Sequence, residues 1–93
     1  MTRLVARIKI LPAEADTDLD KLVNTLNDKI PKGMELKTHA REPIAFGVNA
    51  LLGDFLIDDR EGQMDMLEES IKNTEGVGEI DVVSVSRQSV RMK

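Results

Sequence analysis

Ninety-three residues supply one domain and leave no room for a second. With 41% apolar and 32% charged residues and no cysteine, the chain reads as a compact soluble domain without disulfides, thiol nucleophiles or cysteine-type zinc sites. Seventeen acidic against thirteen basic side chains give a formal net charge of −4, and two phenylalanines are the whole aromatic content, so neither phosphate neutralisation nor base stacking is supported. No apolar run approaches the length a bilayer requires, and patterned sequence starts at Leu4, so the expectation is an unprocessed cytoplasmic chain without membrane contact.

Leu4 to Ile10 alternates apolar with charged residues from Ala6 onward, the period of a strand with one covered and one wet face. Pro12 ends it. The connection Ala13 to Asp18 is acidic and free of glycine, which makes it a poor cradle for an anion. Leu19, Leu22, Val23, Leu26 and Ile30 then fall at helical spacing, with Asp16 or Thr17 placed to cap the first free N–H groups and Pro31-Lys32-Gly33 to stop the helix.

Met34 to Arg41 alternates again and reads as a second strand, with the single histidine, His39, on its charged face. Glu42 to Gly47 is expected as an exposed connection. Val48 to Asp59 forms the third strand, with Leu51, Phe55 and Ile57 directed inward and Gly53 between them marking a bulge or a close approach by a helix. Asp58 to Gly62 is a solvated turn, since it lacks the ligand spacing and closing glutamate of a calcium loop. Met64, Leu67 and Ile71 give the core face of a second helix that Gly76 closes with a left-handed cap. Ile80 to Arg87 is the last strand, with Val83 and Val85 on the face opposite Ile80 and Val82.

The order strand, helix, strand, strand, helix, strand has few solutions in one small α+β domain. Right-handed crossovers put both helices on one face of a four-stranded antiparallel sheet, the βαββαβ, split-βαβ or ferredoxin-like sandwich.

The usual catalytic constellations are missing: there is no Gly-x-Ser-x-Gly elbow, no phosphate loop and no histidine pair. No metal site, cofactor or bond chemistry is expected. Two features remain. Phe46 sits between Pro43, which fixes φ, and Gly47, which permits unusual backbone angles, and two readings of it stand: an aromatic presented to a partner, or a side chain folded back over the core. Arg87, Arg91 and Lys93 form a basic C-terminal edge on an acidic body, suited to an acidic or phosphate-bearing partner site.

Glu42-Pro43-Ile44-Ala45-Phe46-Gly47, followed by Val48 and Leu51, resembles the loop of the translation elongation factor 1-beta family. The opening strand and the acidic loop into Asp18-Leu19 resemble the archaeal branch, and Asp65-Met66-Leu67-Glu68-Glu69 is similar to the matching helix of eukaryotic members. The resemblance covers Leu4 to Arg87. It implies a single guanine nucleotide exchange domain over residues 1–93, with a short basic extension at 88–93, acting as a monomer on elongation factor 1-alpha to replace GDP by GTP. It further implies that Phe46 inserts into the GTPase near its switch region, with Pro43, Ile44, Ala45 and Gly47 beside it. A basic residue near the C-terminus would approach the magnesium and phosphate-loop region. Arg87 is the best match to that residue, where eukaryotic members carry lysine, and Arg91 and Lys93 are further candidates because the chain continues past it. The alternative is a ligand-sensing regulatory domain of the same fold, which usually needs a glycine-bearing first loop.

Overall fold

The computed structural model describes residues 2–14, 16–45 and 47–89. Its elements are β1 (Thr2–Pro12), α1 (Leu19–Lys29), β2 (Glu35–Ala45), β3 (Val48–Asp58), α2 (Gln63–Lys72) and β4 (Val77–Ser89). The four strands pair antiparallel in the order β2-β3-β1-β4, and both helices pack on one face. This is the βαββαβ sandwich expected from the element order.

Alternation decides which side chains meet the helices. Ala6, Ile8 and Ile10 of β1 and Leu51, Phe55 and Ile57 of β3 are buried against Leu19, Leu22, Val23 and Leu26 of α1 and Leu67 and Ile71 of α2. Each fully buried Leu, Ile or Phe contributes ~1.5–3 kcal/mol, so this one layer supplies most of the driving force for folding. Phe55 is wholly buried, and His39 stands exposed on β2. Gly53 lies where its missing Cβ would approach Phe55 Cε1 to 2.9 Å and Leu36 Cδ1 to 3.0 Å, so two core side chains, not a helix, occupy the space it leaves.

Several boundaries differ from the sequence expectation, each for a local reason. The cap of α1 is Asp18 rather than Asp16 or Thr17: its carboxylate accepts from the N–H groups of Asp20 and Lys21 at 3.0 and 3.3 Å. The Thr17 hydroxyl accepts instead from the Glu14 N–H at 3.2 Å and closes the preceding turn. α2 stops at Lys72, and Gly76, at φ +97°, shapes the later turn into β4 instead of capping the helix. On β4 the register shifts: Val82 faces Ile8 and Ser84 faces Arg7, which leaves Val83 between them without a partner. That extra residue resets the pleat, so Val85 faces Ala6 and shares the helix side with Val82 rather than opposing it.

Candidate functional site

The hexapeptide 42–47 is mostly strand. β2 runs to Ala45 and Ala45 faces Val48, so only positions 46 and 47 lie between the two strands in the chain. Pro43 is tolerated because β2 is an edge strand, where a missing N–H costs no ladder bond on the open side. The register shifts between Pro43 and Ala45, so Ile44 has no partner in β3 and stays 39% exposed. Gly47 has φ +80°, the left-handed geometry that a two-residue reversal between twisted strands favours. Phe46 itself, and the side chain of Ala45, lie outside the described residues.

The start of α1 flanks this turn. A shallow groove of about 130 Å³ separates them, lined by Thr17, Asp18, Leu19, Arg41, Gly47 and Asn49. Arg41 bridges the two elements, its Nη2 donating to Asp20 Oδ1 at 2.9 Å. The hairpin tip is thus an apolar projection at Ile44 set beside a rim that includes Asp18 and Asp20.

Arg87 occupies the other end of the sheet. It faces Leu4 on β1, whereas the turn lies beyond Leu51, which pairs with Ile10. The separation from Arg87 to Val48 is about nine residues along the strands, ~30 Å at 3.3 Å per residue. Arg87 is therefore not brought together with the hairpin turn. Its Nε instead forms an ion pair with Asp59 Oδ2 at 3.1 Å, with 69% of the arginine side chain exposed. β4 continues to Ser89, two residues into the stretch expected as an extension, and Arg91 and Lys93 lie outside the described residues.

The acidic turn after β3 is more than a solvated connection. Asp58 holds both Arg3 and Arg60 at 3.4 Å, and Asp59 holds Arg87. Sequence reasoning missed Asp59 because its partner is far along the chain; three consecutive charged residues after a strand carry no mark of what they pair with. Among the described residues no group of three or more His, Cys, Asp or Glu is arranged to hold a metal ion. No described helix is long and apolar enough to cross a membrane.

Residues 5–87 match the family model of the EF-1 guanine nucleotide exchange domain. The chain is 41% identical over 87 residues to elongation factor 1-beta of Methanothermobacter thermautotrophicus, covering 94% of this chain and 98% of that protein. It is 36% identical over 88 residues to elongation factor 1-beta of Staphylothermus marinus, with coverage of 94% and 98%. Against elongation factor 1-beta of Metallosphaera sedula the identity is 39% over 88 residues, covering 94% and 97%.

Proposed function

The chain belongs to the EF-1 guanine nucleotide exchange domain family, and from that premise we propose that the two ends of its sheet act on elongation factor 1-alpha at separate points. The protein is a guanine nucleotide exchange factor that promotes GDP release and GTP reloading of this GTPase during translation. It makes and breaks no covalent bond. Exchange follows from binding the nucleotide-free GTPase more tightly than the nucleotide-bound one, and the shift it produces equals that difference in affinity.

Phe46, with Ile44 beside it, is the apolar anchor of one contact. A rigid aromatic seated in a pocket carries a large share of interface energy at little entropic cost; Pro43 fixes φ before it, and Gly47 adopts the left-handed φ of +80° after it. Arg87 is the cation of the other contact. An always-charged guanidinium beside phosphates competes electrostatically with magnesium and weakens its hold on GDP. The observation that carries this two-point reading is the ~30 Å between the hairpin turn and Arg87, which demands a partner surface as long as the sheet. The molecule is elongated, with principal-axis extents of 46, 23 and 18 Å.

Residues 1–93 act as one domain, and the working compartment is the cytoplasm, where the GTPase delivers aminoacyl-tRNA. No feature of the described residues favours the ligand-sensing alternative: the β1–α1 connection carries Glu14, Asp16 and Asp18 and no glycine. The test is direct. Archaeal elongation factor 1-alpha loaded with a fluorescent GDP analogue is mixed with excess GTP, with and without this chain, and catalytic amounts should accelerate release many-fold. A release rate equal to that in buffer would refute the assignment.

A further inference from the structure

Arg87 does not project freely from the end of β4. Alternation places it, with Val85 and Leu4, on the helix side of the sheet, because Ala6, two residues from Leu4, is buried there. The guanidinium reaches across β1 to Asp59, in the turn that leads from β3 into α2. Asp58 beside it is already engaged with Arg3 and Arg60, so the carboxylate of Asp59 is the one that serves Arg87. A guanidinium paired at 3.1 Å presents little net charge to an approaching phosphate or magnesium site.

We propose that Asp59 is a positioning residue for exchange: it latches Arg87 against the body of the free protein, and docking on the GTPase must open this ion pair before the cation can act. The proposal rests on the assignment of Arg87 as the acting cation. The arginine side chain is 69% exposed and that of Asp59 31%, so water reaches the pair and the latch is weak and reversible, of the strength expected for a surface ion pair. Its opening takes a small, fixed share of the docking free energy, and salt screens it.

The experiment is stopped-flow release of a fluorescent GDP analogue from elongation factor 1-alpha, with the full chain and with Asp59→Asn, Arg87→Ala, the double variant and Glu61→Gln. Glu61→Gln removes a neighbouring charge without touching the pair and controls for long-range attraction. In millimolar magnesium, Asp59→Asn should speed release about two- to fivefold, the factor equivalent to roughly 0.4–1 kcal/mol. The gain should vanish in the Arg87→Ala background, with EDTA, and at high salt, and Glu61→Gln should leave the rate unchanged. An unchanged or slower rate for Asp59→Asn, while Arg87→Ala slows exchange, overturns the latch and leaves the role of Arg87 standing. An equal gain in the Arg87→Ala background also overturns it, by showing a general charge effect. If Arg87→Ala exchanges normally, the assignment of Arg87 fails first and the latch falls with it.

Discussion

Arg7 and Asp54 face each other across β1 and β3 and meet through two parallel contacts, Nε to Oδ1 at 2.9 Å and Nη2 to Oδ2 at 3.2 Å. The Thr38 hydroxyl donates to the same carboxylate at 3.1 Å from β2, so one side chain ties three strands on the face away from the helices. The arginine hydrogen bonds hold the Asp54 carboxyl below its usual range, against the opposing effect of partial burial. A carboxyl whose folded pKa is depressed adds stability above its unfolded pKa, near 3.9, and loses it as pH falls through the folded value. Asp54→Asn should therefore unfold at lower urea than the native chain at pH 7, and the gap should close between pH 4 and pH 2. A gap that stays constant over that range would show that the pair does not stabilise through its charge.

Gly53→Ala should destabilise the fold by ~1–3 kcal/mol through overpacking. The added methyl meets Phe55 Cε1 and Leu36 Cδ1 at or below 3.0 Å, and Phe55 is a rigid, fully buried ring. This outweighs the gain a strand ordinarily makes when glycine is replaced. Urea midpoints decide it, and an unchanged or raised midpoint would mean that the ring and Leu36 shift freely.

Phe46→Ala should leave the urea midpoint nearly unchanged and slow GDP release at least tenfold, the loss of about 1.4 kcal/mol or more that an anchor aromatic carries. A variant that unfolds at much lower urea, while its folded fraction exchanges normally, would identify Phe46 as core. Gly47→Ala separates conformation from contact. Nothing lies within 4 Å of the added Cβ, so any loss comes from the strain of a side chain at φ +80°, about 1 kcal/mol.

Arg87→Ala should slow exchange strongly in millimolar magnesium and matter much less in EDTA, where the ion it competes with is gone. Truncation after Ser89 removes Arg91 and Lys93 but keeps Gln88 and Ser89, which pair with Arg3 and Thr2. It should have the smaller effect if Arg87 is the acting cation, and an effect equal to that of Arg87→Ala if a residue beyond it acts instead. The same rate loss for Arg87→Ala with and without magnesium would refute the electrostatic role of Arg87.

The sequence alone determined the six elements, their order and the residues that meet in the core, because these follow from short-range periodicity. Period-2 and period-3.6 patterns put Leu51, Phe55, Ile57, Leu22, Leu26, Leu67 and Ile71 on the right faces. The hexapeptide around Phe46 also marked the family, since local residue identity is what a motif preserves. Pairing between strands decided the rest. The unpartnered Val83 resets the face of Val85 only because β1 fixes where β4 slips. The connection at 42–47 shrinks to two positions because β3 extends β2 as far as Ala45, past an edge proline. Likewise, nothing in the acidic run after β3 tells that Asp59 meets Arg87, and nothing around Asp54 tells that it meets Arg7. Charges interact through space and carry no period along the chain, so their partners, and the ~30 Å between the two ends of the site, exist only once the sheet is assembled.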